Sequence, residues 1–134
     1  MSNYSINDFL AIMATLRSEN GCNWHKAQTF DTLAPYAIEE AHELAEAIAE
    51  KNYPQVCDEL GDVLLQVVFQ SQIAKEAGLF QFDDVVNAIS RKMVRRHPHV
   101  FNQQSNLSPE QVSVQWAEIK AQEQGIQPKR RYLL

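Results

Sequence analysis

Two short acidic spacings carry the chemistry of this sequence. Glu40 and Glu43 are three residues apart, as are Glu59 and Asp62, and in a helix that spacing sets two carboxylates on one face, one turn from each other. If the two helices are antiparallel neighbours, four carboxylates can converge across the pair. Two unit charges about 4 Å apart repel by about 4 kcal/mol at an effective dielectric of 20, so a convergent set calls for a positive partner. The oxygen-only donor set, with no Cys or well-spaced His pair, suits a hard ion such as Mg2+, with Mn2+ as a substitute. The alternative is that these acids are solvated surface groups, as most Glu and Asp are. Glu46 and Glu50 fit that description; for the other four, geometry alone leaves both readings open.

A second cluster, RKMVRRHPH, is basic. Lys92 and Arg96 are four apart and flank the apolar positions Ile89 and Met93, whereas Arg91 and Arg95 point outward as a solvated face would. His97 and His99, around Pro98, suit the C-terminal end of a helix, where a cation complements the dipole. His42 lies at a different helical angle from Glu40 and Glu43 and is not read as a ligand. Neither Ser, Thr nor Cys sits in a nucleophile setting.

The elements that must position these groups are helices. Ser5–Asp8 reads as a capping-box variant opening a first helix over 6–18. Residues 19–31, with a Gly and two Asn, read as an irregular loop packed down by Trp24 and Phe30. A second helix spans 32–51, with Pro35 tolerated in its first turn, an apolar face of Ala37, Ala41, Leu44, Ala45 and Ile48, and Glu39, Glu46 and Glu50 opposite. Glu40 borders that apolar stripe. Pro54 starts a third helix running to Ala77. Its side chains are apolar almost all round, which predicts a central helix and a two-fold dimer, except for a polar stripe about 80° wide holding Gln55, Glu59, Asp62, Gln66 and Gln70. A fourth helix over 83–96 ends at His97-Pro98, and Ser108, Pro109 and Gln111 open a fifth over 109–124. With no strand-like alternation, the expected fold is an all-α bundle of about five helices. Residues 1–128 form one domain and 129–134 a basic tail.

At 134 residues and 45% apolar content the chain can bury a cooperative core. Its 17 acidic and 12 basic side chains give a net charge of -5, which disfavours general attraction to nucleic acid. The longest apolar run is far below the roughly 20 residues of a membrane span, and the N-terminus lacks a basic-then-apolar leader. Cys22 and Cys57, outside any CxxC pair, read as reduced thiols. The expected location is the cytoplasm, with no membrane partner.

The run EEAHELAEAI followed by DELGDVLLQVVF resembles the EExxE and ExxD pair that marks the MazG family of nucleoside triphosphate pyrophosphohydrolases. The similarity continues through GCNWHKAQTF, RKMVRRHPHVF and QWAEIKAQE, so it covers nearly the whole chain. The resemblance implies Mg2+-dependent cleavage of nucleoside triphosphates to monophosphate and pyrophosphate, with broad base specificity in nucleotide-pool housekeeping. It implies Glu40, Glu43, Glu59 and Asp62 as metal ligands and Glu39, the extra acid of EExxE, as a water-activating or supporting group. Lys92 and Arg96 match the family's triphosphate-binding spacing, with Arg95 a further cation beside them. Trp24, Lys26 and Trp116 are base or ribose contacts, with core packing the alternative for each Trp. Asn23 and His25 replace the proline and aspartate usual in the family's CPWD segment, which puts any role of that aspartate in doubt here. The resemblance is greatest to the first repeat of two-repeat members, so a catalytically weak regulatory or dimerisation half is the second reading.

Overall fold

A computed structural model describes residues 3–102 and 105–126; the basic tail at 129–134 lies outside them. The order is α1 (Ile6–Leu16), α2 (Asn23–Ala27), α3 (Phe30–Ala49), α4 (Tyr53–Glu76), α5 (Phe82–Arg96), α6 (Pro98–Phe101) and α7 (Pro109–Ile126). The described residues hold helices and no strand, as expected of an all-α chain. They divide into two compact units, one ending at Val85 and the other starting at Val86.

Local chemistry sets the helix ends. Ser5 and Asp8 form a reciprocal capping box: the Ser5 backbone N–H donates to Asp8 Oδ2 at 2.8 Å and the Asp8 N–H donates to Ser5 Oγ at 3.2 Å. Ser108 and Gln111 do the same before α7, at 2.9 and 3.2 Å. Asn52 caps α4 by accepting from the Gln55 N–H. Gly78, at φ +71, closes α4 in a left-handed conformation that favours glycine.

The main departures from expectation are an earlier start to α3 and two added short helices, α2 and α6, which make seven helices among the described residues where about five are expected. Thr29 and Thr32 form a capping box that starts α3 at Phe30, so Pro35 falls in the second turn and not the first. The hydrogen bond that Pro35 cannot make would go to Asp31, an exposed residue whose carbonyl can reach water. Within 19–31, read as irregular, Asn23–Ala27 is a short helix. His97-Pro98 ends α5 as expected, but Pro98 also supplies the N1 position of the short α6.

In the first unit α4 packs along α3 and against α1. The core is Met13, Leu33, Val68, Phe69 and Ile73, with Phe9, Leu10, Leu65 and Phe82 packed on it. Gly21 is required where the chain turns off α1, since a Cβ there would lie 2.2 Å from the Leu16 carbonyl oxygen. Arg17 secures the same turn. Its guanidinium donates to both Glu76 oxygens, at 3.0 Å for the closer contacts, and to the His25 and Gln28 carbonyls, and it lies 5.8 Å from the Phe69 ring centroid.

The inward face of α3 is a correction. Leu33 and Ala47 are buried and Ala37, Glu40 and Leu44 partly so, while Ala41, Ala45 and Ile48 are exposed. Glu40 therefore sits within the inward stripe. The alanine-rich helix carries two apolar stripes, one through 33, 37, 44 and 47 and one through 38, 41, 45 and 48, and periodicity cannot choose between them. The central position expected for the third helix holds for its C-terminal half, where Val68, Phe69, Ile73 and Ala74 are buried; Leu60, Leu64 and Val67 are exposed.

Candidate functional site

The α3–α4 connection is a short turn at Glu50–Asn52, with Lys51 at φ 56, and it returns α4 antiparallel along α3. That arrangement matches one acidic spacing to the other. One oxygen each of Glu40, Glu43, Glu59 and Asp62 lies within 4.8 Å of the others. Glu59 is buried and the other three are partly buried, so these are not four solvated surface acids. Glu59 Oε1 accepts from Gln55 Nε2 at 2.6 Å. Its Oε2, like Glu40 Oε2, is buried without a hydrogen-bond partner.

The electrostatic consequence falls on Glu40. Desolvation, then the charges of Asp62 and Glu43, push its carboxyl up to about 7. Glu43 is raised by desolvation and by the charges of Glu59 and Glu39. Two unpartnered acceptors and a carboxyl that resists ionisation are features that a bound cation would satisfy. The four acids are close enough to ligate a single ion, and their hard oxygen donors fit a divalent metal. Glu39 itself is exposed and outside the four.

The remaining predicted residues fall in several settings. In the first unit, Trp24 is half-exposed and meets Tyr36 and Phe69 edge to face at 6.0 and 6.1 Å between centroids. Lys26 Nζ donates to the Glu19 carbonyl at 2.8 Å. His25, where the family pattern has aspartate, stacks on Phe69 at 5.2 Å.

In the second unit, Arg96 is buried, its Nη2 is 2.8 Å from Glu123 Oε1, and its guanidinium lies 5.6 Å from the Trp116 centroid. Arg95 Nε reaches the other Glu123 oxygen at 2.6 Å. These contacts pull the Glu123 carboxyl down to about 2, Arg96 contributing most and Arg95 next. Among the described residues no carboxylate lies within ion-pairing distance of Lys92, which is partly buried. His97 Nδ1 bonds the Met93 carbonyl at 2.7 Å, the helix-ending contact expected of it, and its ring meets Trp116 edge to face. Sequence pattern assigns no role to Glu123, Arg17 or Gln55. Of these, Gln55 alone carries a signal in the sequence, as part of the polar stripe of α4.

Comparison with known proteins agrees with the resemblance. Residues 28–101, more than half the chain, match the model of the MazG nucleotide pyrophosphohydrolase domain. The chain belongs to the MazG family. It is 50% identical over 124 residues to the nucleoside triphosphate pyrophosphohydrolase/pyrophosphatase MazG of Thermotoga maritima, covering 92% of this chain and 47% of that protein. It is 49% identical over 119 residues to the nucleoside triphosphate pyrophosphohydrolase of Escherichia coli K12, covering 88% of this chain and 45% of the relative. The chain thus spans about half the length of these curated relatives. A crystal structure of a MazG-related protein from Thermotoga maritima has the same fold, with a TM-score of 0.69 at 22% identity over 87% of this chain and 99% of that one. The matched family segment contains all four converging acids together with Lys92, Arg95 and Arg96.

Proposed function

We propose that this MazG domain hydrolyses nucleoside triphosphates to nucleoside monophosphate and pyrophosphate in a Mg2+-dependent reaction. The observation that carries this reading is the convergence of Glu40, Glu43, Glu59 and Asp62 with two buried oxygens left unpartnered. Mg2+ bound by these acids would supply positive charge to the phosphate oxygens under attack; Mn2+ has the same donor preference.

The chain's own groups have defined parts in the proposal. Gln55 holds Glu59 in place from the preceding turn. Glu39, exposed beside Glu43, is the group proposed to accept a proton from the attacking water. Lys92 is assigned to the β and γ phosphate oxygens as a point charge, and Arg96 and Arg95 with it, as planar forks that would exchange Glu123 for phosphate. Trp24, Lys26 and Trp116 are assigned to the base and ribose, and a stacking contact, being tolerant of base identity, goes with broad specificity and a role in nucleotide-pool housekeeping. We further propose a homodimer and a reducing, cytoplasmic setting, the latter in keeping with two free thiols. No described helix is long and apolar enough to cross a membrane, and no nucleic-acid partner is proposed for a chain of net charge -5.

The test is pyrophosphate release from a panel of ribo- and deoxyribonucleoside triphosphates, with Mg2+, with Mn2+ and with chelator. Metal-dependent release of pyrophosphate and monophosphate in equal amounts is expected; release of orthophosphate, or none at all, would overturn the reading. A second reading, a catalytically weak regulatory or dimerisation half, draws on the chain's span of 47% and 45% of two curated relatives. It predicts metal-induced stabilisation without turnover.

A further inference from the structure

The polar stripe of α4 does not stop at Asp62. It continues through Gln66 and Gln70, which neither the metal site nor the phosphate assignments use. Gln66 is 9% exposed, an unusual place for an amide unless its donors and acceptor are matched. Its Oε1 accepts a marginal contact from Gln70 Nε2 at 3.5 Å, and its own Nε2 donates to no described residue, although it is not a buried orphan as the Glu40 and Glu59 oxygens are. Both amides line a pocket of about 230 Å³ that opens to solvent and is lined otherwise by Ala37, Val63 and Val67.

The cavity's place along the helix pair gives it a purpose. Gln66 follows Asp62 by four residues and Ala37 precedes Glu40 by three, so the lining lies on the faces of the acids, displaced by one turn of each helix. Because α3 and α4 are antiparallel, both displacements run the same way along the groove. Ala37 opens the space, since a longer side chain there would project into it. The result is a small chamber with apolar walls and two amides, one turn from a carboxylate cluster.

We propose that this chamber receives the nucleoside end of the substrate, with the Gln66 amide, assisted by Gln70, hydrogen-bonding its sugar hydroxyls or base edge. The proposal rests on the triphosphate reading given above. An α-phosphate held at the acids carries the sugar directly and the base just beyond, on the side where the chamber begins about one helical turn away. A primary amide offers both a donor pair and an acceptor, matching the mixed hydrogen-bonding groups of a nucleoside and not the acceptor-only oxygens of a polyphosphate. Gln66 is thus a hydrogen-bonding contact for the nucleoside, grading an otherwise broad specificity beside the base-tolerant stacking assigned to Trp24, and Ala37 is the gap that admits its ligand.

Gln66→Met keeps length and removes the amide, and Ala37→Leu fills the chamber. Each is compared with the unaltered chain for KM and kcat over a panel varying the base and, separately, the 2′-hydroxyl, alongside inhibition by inorganic tripolyphosphate and the melting shift induced by Mg2+. Gln66→Met is expected to raise KM by about three- to tenfold, unevenly across the panel, as loss of a neutral hydrogen bond does. Tripolyphosphate inhibition and the Mg2+ shift should hold. Unevenness across bases assigns the amide to the base edge, and unevenness across the 2′-hydroxyl pair assigns it to the sugar. A uniform change over all nucleotides, an equal loss of tripolyphosphate inhibition, or no change in either variant overturns the proposal and leaves a water-filled chamber. If the chain turns over no triphosphate, the activity reading fails separately. Calorimetric binding of the uncleaved nucleotides then decides: weaker binding by Gln66→Met with tripolyphosphate binding intact supports the chamber, and equal binding overturns it.

Discussion

At the scale of single residues, the site is defined by a charge problem. Asp62 is the largest charged contributor to the raised carboxyl of Glu40, so Asp62→Asn should have opposite effects on function and on the metal-free fold. It removes a proposed ligand, and activity should fall by roughly two to three orders of magnitude, as when a preorganised electrostatic contact is deleted. It also relieves repulsion, so the metal-free variant should melt at or above the unaltered chain at pH 8. Pyrophosphate release beside thermal melts reads both, and wild-type turnover with a wild-type Mg2+ shift would sink the four-carboxylate site. The same charges set a pH dependence. Glu40 titrates near 7 in the folded chain against 4.5 ordinarily, so between those values the folded state holds the extra proton and stability falls as pH rises. Metal-free protein should therefore lose melting temperature from about pH 5 to 8, and the stabilisation by saturating Mg2+ should grow over that window as the ion replaces the proton. A Mg2+ shift that is flat with pH would mean that Glu40 takes no part in binding.

At the scale of elements, legibility depended on whether a feature is local. Ser5–Asp8, Ser108–Gln111 and the E-x-x-E and E-x-x-D spacings each lie within one turn, and the structure realises them as helix caps and as two facing acid pairs. The inward face of α3 is not legible in sequence because its two alanine-rich stripes are equivalent until α4 packs on one of them. Arg17 and Glu123 were invisible for a related reason: their partners, Glu76 and the Arg95–Arg96 pair, lie 59 and 27 to 28 residues away. Glu123 gives a prediction at this scale, since it ties α5 to α7 within the second unit. Glu123→Gln leaves buried Arg96 with a neutral partner and Arg95 with a weaker one, and should cost about 1–3 kcal/mol in urea unfolding. The unaltered pair contributes fully above the ordinary glutamate value of 4.5 and is lost as pH falls toward about 2, so the gap between the two proteins should narrow in acid. A constant gap from pH 7 to pH 3 would show that packing against Trp116, and not the ion pair, holds these helices.

At the scale of the whole molecule, the first unit exposes two apolar stripes, and these are the surface on which the proposed homodimer would form. Ile38 and Ile48 on α3 are 62% and 56% exposed, and Leu60 on α4 is 52% exposed, with Leu64 beside it on the same face. Their spacing follows helical periodicity: 38, 41, 45 and 48 on one helix, and 60, 64 and 67 on the other, so each is a continuous stripe and not scattered residues. A stripe of that kind normally packs into another helix. Within the first unit α3 and α4 use their inward faces on each other and on α1, so a second copy is the occupant proposed for the outer stripes. A two-fold contact lets one pair of stripes cover its own equivalent and closes after two chains. The stripes lie on the helices that carry the acids, so dimerisation would also brace the metal site against the repulsion inside it. Sedimentation at micromolar concentration should give twice 15.3 kDa, and the melting temperature should rise with protein concentration, since association stabilises by mass action. Leu60→Glu, which places a charge in the proposed contact, should yield monomers that melt lower and bind Mg2+ more weakly, even though Leu60 is not one of the four acids. A clean monomer for the unaltered chain, with a melting temperature independent of concentration, would show that these stripes face water or a different partner.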